Sequence, residues 1–269
     1  MSEIKWGIIG CGDVTEVKSG PAFNKAPNSS LVAVMRRNAA KAEDYAKRHQ
    51  VAKWYSDADQ LINDPEVNAI YIATPPLQHE EYTIKALAAG KPVYVEKPMA
   101  LNSEAAKRMV AASHQYGVKL SVAHYRREQP LFLKIKTLLE EQAIGEVRFV
   151  ALKMLQPQKS DLIAHAEENW RINPDIAGGG LFHDLAPHQL DLMLYYFGEI
   201  EKFSGIAINQ TGQDQVDDLV TEIYYLKTVS YLMVPGALAW LKQTNWIVAK
   251  SMAVKEKSVF PCLVIKLKY

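Results

Sequence analysis

Three residues of this sequence have side chains suited to proton chemistry: Lys97, Asp184 and His188. Lys97 stands in a Glu-Lys-Pro triplet directly after an apolar run of strand length. Asp184 and His188 are four residues apart in a helical pattern, so they are predicted to face the same way near a helix start. An imidazole with an ordinary pKa of ~6.5 can exchange a proton near neutral pH. The alternative is a solvated lysine at a strand end together with a helix cap and a surface histidine.

A glycine-rich turn near the start of the chain indicates where a cofactor would bind. Gly10 and Gly12 occupy the first two positions of the G-x-G-x-x-G fingerprint, directly after an apolar strand, and Asp13 and Val14 open the next helix. Such a turn lets the backbone approach a pyrophosphate at a helix N-terminus. Thr15 stands at the third position, so the fingerprint is imperfect. The context favours nucleotide binding over a purely structural turn.

The end of the second strand predicts which nucleotide is preferred. An acid about 20 residues after the turn is typical of NAD-binding proteins, where it binds the ribose 2′-hydroxyl. Here Arg36 and Arg37 stand at that point, and no acid follows before Glu43. Two arginines suit a 2′-phosphate and can stack on adenine. NADP(H) is therefore the preferred cofactor and NAD the second choice, while a solvated arginine pair is the alternative.

The elements that position these residues alternate between strands and helices in the first part of the chain. Nearly continuous apolar strands in such a pattern predict a parallel sheet covered on both faces, the Rossmann arrangement. We place this dinucleotide-binding domain at residues 1–122. The predicted strands are 4–9, 31–35, 68–73, 92–96 and 119–123, and the predicted helices begin near Gly12 or span 39–49, 78–89 and 103–116.

The pattern changes in the second part of the chain, residues 123–269. Alternating strands here predict a sheet with one covered face. The result is an α+β domain with an open, mainly antiparallel sheet. The predicted helices are 128–142 and 181–197, and the predicted strands are 147–154, 200–209 and 219–226.

Composition excludes several classes of protein. The 269 residues are 48% hydrophobic and 23% charged, with a net charge of +1, so nothing favours nucleic acid or an anionic membrane. We find no secretory signal and no apolar run of ~18 residues. Two cysteines make no disulfide framework. These features predict a cytoplasmic protein with no metal site, no nucleic-acid partner and no membrane partner.

Several short motifs in order resemble the Gfo/Idh/MocA family of oxidoreductases, over roughly residues 4–225. They are the G-x-G opening, Ala-Thr-Pro-Pro with His79, Glu-Lys-Pro, Tyr-Arg-Arg from Tyr125, Trp170-Arg171, Ala-Gly-Gly-Gly, Asp-x-x-x-His and Val-Asp-Asp. The resemblance implies a Rossmann domain followed by a domain whose open sheet often forms a homo-oligomer interface. It also implies hydride transfer between NAD(P) and a hydroxyl or carbonyl group of a sugar or cyclic polyol.

The resemblance also implies a role for each matching residue. His188 is the expected acid–base group on the substrate hydroxyl, Lys97 is expected to bind the same oxygen, and Asp184 to hold a second hydroxyl or orient the histidine. Tyr125 and Arg126 complete the predicted substrate site. The remaining predicted cofactor contacts are Thr74, Pro75, His79, Glu96, Lys97, Trp170 and Arg171. His183 and Asp191 are interpreted as structural.

Two alternatives share this fold. One is a non-catalytic nucleotide-binding regulatory protein, and the other is an enzyme whose cofactor assists lyase or glycosidase chemistry. Retention of Lys97, Asp184 and His188 favours the dehydrogenase. The sequence names neither the substrate nor the direction of the reaction.

The tail at 232–269 departs from the family pattern. Read in a shifted frame with permitted codons, it yields Asn-Gly-Thr-Trp-Cys-Phe-Ser-Val and later Glu-Ile-Tyr-Gly-Ser-Lys-Gly, which resembles the family's sequence there. We infer a frameshift near residues 226–232, with a divergent but selected C-terminus as the rival explanation. A shifted frame predicts that the second sheet lacks its closing strands and leaves an edge and apolar surface exposed. Homo-oligomer formation and activity would then be impaired.

Overall fold

The computed structural model describes residues 3–155, 170–210, 212, 215–227, 232–237, 246–254 and 262–267. Two compact units are present. The first comprises the described residues up to Ala123, together with Trp170 and Asp175–Gly178. The second comprises the described residues from His124 onward that do not belong to the first.

The first unit contains a six-stranded sheet in the order β3-β2-β1-β4-β5-β6, and every pair of neighbours is parallel. Apolar residues from both faces of the sheet, such as Ile8 and Ile9, are fully buried beneath helices. This confirms the predicted Rossmann fold. The strands are β1 Ile4–Ile9, β2 Ser29–Met35, β3 Lys53–Tyr55, β4 Ala69–Ile72, β5 Val93–Val95 and β6 Leu120–Val122. The helices are α1 Asp13–Val17, α2 Ser19–Lys25, α3 Ala39–His49, α4 Ala58–Ile62, α5 His79–Ala88 and α6 Ser103–Tyr116.

Local capping fixes the ends of the longer helices. Asn38 caps α3 by accepting a hydrogen bond from the backbone N–H of Lys41, and Asn102 caps α6 in the same way from Ala105. Gly117, with φ at 64°, ends α6 in the left-handed conformation. The predicted bounds of both helices are confirmed because these signals are local.

The helix after the glycine turn differs from the prediction. It forms as two pieces, α1 and α2, which meet at Lys18. Pro21 has no N–H to donate to the carbonyl of Val17, so one continuous helix would lack a hydrogen bond there. The sequence reading also missed β3 and α4, which are only three and five residues long.

The second unit contains a six-stranded sheet in the order β12-β11-β7-β10-β9-β8. Four neighbouring pairs are antiparallel, and β7–β10 is parallel. The mainly antiparallel sheet is therefore confirmed. Its strands are β7 Glu146–Leu155, β8 Ile200–Ile208, β9 Leu219–Leu226, β10 Leu232–Ala237, β11 Trp246–Val254 and β12 Cys262–Leu267. The remaining helices are α7 Pro130–Glu140, α8 Pro174–Ala177, α9 Leu181–Leu185 and α10 Pro187–Phe197.

One face of this sheet is covered by α7 and α10. Phe132 of α7 and Leu192 of α10 pack in one buried cluster with Leu152 of β7 and Tyr224 of β9. Apolar side chains of β8, such as Ile206, stay exposed. The core of the second unit therefore lies between the two helices and the sheet.

Two expectations for this unit are wrong. The predicted single helix from Leu181 to Phe197 ends at Leu185 and resumes at Pro187, because Pro187 has no N–H to continue the backbone bonds. Asp184 and His188 thus lie on separate helices. The strands expected to be missing after residue 231 are present: β10, β11 and β12 extend the sheet through backbone pairing. Backbone pairing requires no particular side chains. Strands can therefore form whether the tail comes from a shifted reading frame or from a divergent but selected C-terminus.

Within the described residues, no helix combines the length and apolar character needed to cross a membrane. In the same part of the chain, no three histidine, cysteine or acidic side chains are grouped to hold a metal ion.

Candidate active site

The glycine turn after β1 presents open backbone at the carboxyl edge of the first sheet. Gly10 has φ at 93°, and a Cβ atom there would lie 2.8 Å from the backbone nitrogen of Thr74. A Cβ on Gly12 would meet only the carbonyl oxygen of Gly10 at 4.0 Å among the described atoms. The backbone N–H groups of Gly10 and Cys11 donate to the carbonyl of Met35, at 2.9 and 3.1 Å. The turn is therefore pinned to β2 and leaves room for a pyrophosphate above Gly12.

Thr15, at the third fingerprint position, is fully buried without disrupting the turn. Its hydroxyl donates to the carbonyl of Gly12 at 2.7 Å, and its own carbonyl accepts from the Tyr45 hydroxyl at 2.8 Å. A Cβ on Gly20 would fall far inside contact distance of the Thr15 carbonyl and the Tyr45 hydroxyl. The close backbone approach therefore occurs between Thr15 and Gly20.

An ion-pair cluster attaches α1 to α3. Arg48 donates two hydrogen bonds of 2.7 Å to the Glu16 carboxylate, and His49 contacts the same carboxylate at 2.7 Å. The Arg48 hydrogen bonds lower the pKa of Glu16 to about 2. This carboxylate stays ionised near neutral pH and holds the helix that follows the glycine turn.

Of the two arginines at the end of β2, Arg36 lies against the glycine turn. Its Nη1 donates to the carbonyl of Cys11 at 3.4 Å, whereas Arg37 is exposed. Burial raises the pKa of the Cys11 thiol to about 11, so the thiol stays protonated. The guanidinium of Arg36 therefore lies beside this turn.

The loop after β4 contains Thr74 and Pro75. The Thr74 hydroxyl oxygen is buried and has no hydrogen-bond partner in the part of the chain that the structure describes. A buried orphan hydroxyl beside an open glycine turn fits a ligand that supplies its partner. Gly10, Gly12, Arg36 and Thr74 thus suit a dinucleotide.

His79, which the sequence predicts to be a cofactor contact, is 1% exposed. Its Nδ1 lies 3.0 Å from the carbonyl oxygen of Pro98, and its Nε2 lies 2.7 Å from that of Thr74. Burial lowers the pKa of the ring, against the effect of the surrounding carbonyls. The ring is therefore enclosed by protein groups, and its contact with a cofactor stays a prediction.

Glu96 and Lys97 directly follow β5. The backbone N–H of Glu96 donates to the carbonyl of Ile72 at 2.9 Å. One carboxylate oxygen of Glu96 accepts a hydrogen bond from the buried Tyr71 hydroxyl, and the other lies 3.3 Å from the backbone nitrogen of Lys97, which donates to it. The Lys97–Pro98 peptide bond is cis. The structure thus places Lys97 at the carboxyl edge of the first sheet.

In the second unit, His188 lies on the first turn of α10 and is 6% exposed. The centre of its ring is 5.2 Å from that of Tyr125 and 6.4 Å from that of His124, with edge-to-face geometry. Tyr125 belongs to the 3₁₀ turn Tyr125–Glu128 and is itself exposed. The structure therefore brings Tyr125 and His188 together, and their contact with a substrate stays a prediction.

Asp184 on α9 is 9% exposed and accepts a hydrogen bond of 3.0 Å from Nε of Arg171. Arg171 lies with Trp170 in the 3₁₀ turn Trp170–Ile172. The arginine thus fixes the carboxylate in one orientation. Because Lys97 belongs to the first unit and Asp184 and His188 to the second, their action on one substrate stays a prediction.

Two further contacts connect the Tyr125–Glu128 turn to α10. Arg126 is buried and donates to the side-chain oxygen of Gln189 at 2.8 Å. Arg127 donates to both carboxylate oxygens of Asp191, at 2.8 and 2.5 Å. These bonds hold Tyr125 and His188 on elements that are fixed to each other.

Sequence reasoning missed the contributions of Tyr71, Gln189 and Gly20. Tyr71 stands within an apolar strand, where its side chain is indistinguishable from core. Gln189 follows His188 directly, and nothing in its spacing indicates Arg126, which is 63 residues away. Gly20 carried a usable signal, since a glycine next to Pro21 marks an irregular point in a helix.

Both units match models of one family. Residues 4–124 match a model described as oxidoreductase family, NAD-binding Rossmann fold, and residues 132–244 match the GFO/IDH/MocA C-terminal domain. Among solved structures, an oxidoreductase domain protein from Kribbella flavida is 24% identical with a TM-score of 0.86, covering 99% of this chain and 74% of that one. Levoglucosan dehydrogenase in complex with NADH is 23% identical with a TM-score of 0.81, covering 99% and 80%. These likenesses show the fold.

Curated relatives share more of the sequence. An oxidoreductase of Formosa agariphila is 56% identical over 217 residues, covering 80% of this chain and 68% of that protein. The 1,5-anhydro-D-fructose reductase of Ensifer adhaerens is 29% identical over 217 residues, covering 80% and 63%. The trans-1,2-dihydrobenzene-1,2-diol dehydrogenase of Mus musculus is 33% identical over 227 residues, covering 81% and 63%. The matched part of this chain therefore spans about two thirds of each relative's length.

With both domain models matched in order, and with a relative 56% identical, this chain belongs to the Gfo/Idh/MocA family of NAD-binding oxidoreductases.

Proposed function

We propose that this chain is a dehydrogenase that prefers NADP(H) and acts on a hydroxyl group of a sugar or cyclic polyol. The observation that carries the proposal is His188, a proton-exchanging residue fixed beside Tyr125 in a chain that also keeps a glycine turn and Lys97. Relatives named as a 1,5-anhydro-D-fructose reductase and a dihydrodiol dehydrogenase support a small hydroxylated substrate.

The cofactor would be held mainly by the first unit. Gly10, Gly12, Asp13 and Val14 would bind the pyrophosphate, because the turn is open at Gly12 and leads into the N-terminus of α1. Thr74 supplies a hydroxyl that lacks a partner among the described residues. The other proposed contacts are Pro75, Glu96, Lys97, Trp170 and Arg171. A bound nicotinamide supplies the acceptor or donor of a hydride.

The preference for NADP(H) rests on Arg36. Its guanidinium lies against the turn that would bind the pyrophosphate, and a 2′-phosphate would offer it charge-assisted hydrogen bonds. Arg37 is exposed and free of the core, which suits stacking on adenine. In this proposal Arg36 distinguishes the two cofactors and Arg37 adds affinity for both.

At the substrate, His188 would take the proton of the hydroxyl group that is oxidised, or return it in the reverse direction. Lys97 would donate a hydrogen bond to the same oxygen and stabilise its alkoxide character. Asp184, fixed by Arg171, would bind a second hydroxyl group or orient His188. Tyr125 and Arg126 would border the substrate.

The test is a rate measurement with NADP and NAD over D-glucose, myo-inositol and 1,5-anhydro-D-fructose, on chains with the present tail and with the tail of the shifted frame. We expect turnover of at least one sugar or polyol, faster with NADP(H). Nucleotide binding without any turnover in either chain would instead support the non-catalytic alternative.

The cofactor preference has a separate test. Arg36→Gln should weaken NADPH binding by roughly 1.5–3 kcal/mol per lost charge-assisted bond, about 10- to 100-fold, with little change for NADH. Arg108→Gln is the matched control, because Arg108 lies on α6 and is paired with Glu80 at the surface. Equal losses for both cofactors would refute the assignment of Arg36.

A further inference from the structure

We propose that Tyr71 and His79 are positioning residues for Lys97. They attach the residues on either side of it, Glu96 and Pro98, to the segment that runs from β4 into α5. The inference rests on the proposed role of Lys97 at the substrate oxygen, and it gives two buried side chains a function in that reaction.

On the side that precedes Lys97, Tyr71 holds Glu96. Tyr71 is fully buried, and its ring packs edge-to-face against Phe23 at 5.1 Å and stacks on Tyr94 at 5.5 Å, so it has one position. Burial raises the pKa of its hydroxyl group, which therefore keeps its proton and donates a hydrogen bond to the Glu96 carboxylate. The same carboxylate accepts the backbone N–H of Lys97 at 3.3 Å. The tyrosine thus acts on the lysine backbone through one carboxylate.

On the side that follows Lys97, His79 holds Pro98. Its two ring nitrogens face the carbonyl oxygens of Pro98 and Thr74, so the ring bridges the loop after β5 and the loop after β4. Both acceptors are carbonyls, so the neutral ring donates a hydrogen bond to one of them, according to its tautomer, and only the protonated ring donates to both. The bridge begins at the first residue of α5, whose backbone is fixed by the helix. Pro98 therefore keeps its place relative to β4.

The two contacts act from the same segment on neighbours of one residue. Tyr71 and His79 are only eight residues apart, and they reach Glu96 and Pro98, which are two apart. The ammonium group of Lys97 is carried on a flexible four-carbon stem, so the position of the backbone sets the region that it can reach, and both contacts fix that backbone. Misplacement of a catalytic group by about 1 Å can cost about 10²-fold in rate.

The first experiment compares variants that remove each contact with variants that keep it. Tyr71→Phe removes the hydroxyl group and leaves the ring, and we expect kcat to fall by about 10-fold. His79→Leu should lower kcat by about 10²-fold, and His79→Gln, which keeps an N–H donor, should recover part of it. NADPH affinity should fall by a smaller factor than kcat in all three, because Gly10, Gly12 and Arg36 keep their contacts. Tyr55→Phe is the matched control, because its hydroxyl donates to the carboxylate of Asp64 at 2.9 Å and should leave kcat unchanged.

A double-mutant cycle separates this inference from the proposed function. In a Lys97→Ala background, Tyr71→Phe and His79→Leu should have no further effect on kcat, since both act through the lysine. If Lys97→Ala itself leaves kcat intact, the proposed function of Lys97 is wrong. If Lys97→Ala lowers kcat but the two variants lower it by the same factor again, the positioning role is wrong.

Amide hydrogen exchange tests the attachment without any substrate. The Lys97 amide should exchange about fivefold faster in Tyr71→Phe than in the unaltered chain, in line with the loss of one hydrogen bond, and should be unaffected in Tyr55→Phe. Unchanged exchange at Lys97 in both Tyr71→Phe and His79→Leu would overturn the proposal, even if both variants had reduced activity.

Discussion

The stability of the first unit should depend on the Glu16 carboxylate in a defined range of pH. Glu16→Gln removes the charge and leaves the shape. A fall in pKa from the ordinary 4.5 to about 2 corresponds to at most about 3 kcal/mol of folding free energy. The Arg48 side chain is 48% exposed, so solvent screens part of this. We expect the substitution to lower the free energy of unfolding by about 1–2 kcal/mol at pH 7.

The sign follows from the direction of the pKa change. Because folding lowers the pKa of Glu16, its contribution is complete above pH 4.5 and is lost as the pH falls toward 2. Urea unfolding of both chains, followed by tryptophan fluorescence from pH 7 to pH 2.5, should therefore give curves that converge at low pH. Glu43→Gln is the control, because its pair with Lys47 is exposed and should contribute less than about 0.5 kcal/mol. A Glu16→Gln difference that stays constant over the whole range would refute the reasoning.

Three further predictions concern single contacts. Gly20→Ala should lower the free energy of unfolding by about 1–3 kcal/mol in urea unfolding, because the new methyl group meets the Thr15 carbonyl; unchanged stability would contradict that close approach. Asp191→Asn should lower the free energy of unfolding by about 1–3 kcal/mol in the same assay, because Arg127, whose side chain is 40% exposed, loses its carboxylate partner. Unchanged stability would show that solvent compensates for the lost partner of the arginine. His188→Gln should lower kcat by about 10²–10⁴ with unchanged NADPH affinity, and wild-type rates would remove it from the mechanism.

Local signals predicted the elements of the first unit well. The caps Asn38 and Asn102 and the end of α6 at Gly117 each depend on a few neighbouring residues, so the sequence contains them explicitly. The two helices that were predicted as continuous but are divided, at Pro21 and at Pro187, share a cause. In both, apolar periodicity continued across a proline, and the missing N–H divided the helix although the pattern did not change.

The candidate site was less predictable because its contacts are not local. Motifs identified Lys97 and His188, but the groups that hold them in place have no pattern in the sequence. Tyr71 reaches across 25 residues to Glu96, and Arg126 across 63 to Gln189. His79 was identified from its motif, yet only the structure shows that its ring lies between the carbonyl oxygens of Pro98 and Thr74.

The tail shows a different limit. The shifted-frame interpretation predicted a second sheet without its closing strands. In the structure β10, β11 and β12 are hydrogen-bonded to neighbouring strands of that sheet. Strand pairing depends on main-chain hydrogen bonds, so it does not reveal which reading frame of the gene encoded the tail. The frameshift therefore stays a prediction, and the nucleotide sequence of the coding region is the measurement that tests it.

The pairing of Thr15 with Gly20 has a consequence for recognising such proteins from sequence. The usual fingerprint demands a small third residue where the chain approaches closely, but in this chain that demand falls five positions later. A search that scores each position independently penalises the threonine and gives the glycine no credit, so it underrates the turn. A pattern that scores both together, G-x-G-x-x-T-x-x-x-x-G, describes the same turn with its close approach moved along the chain.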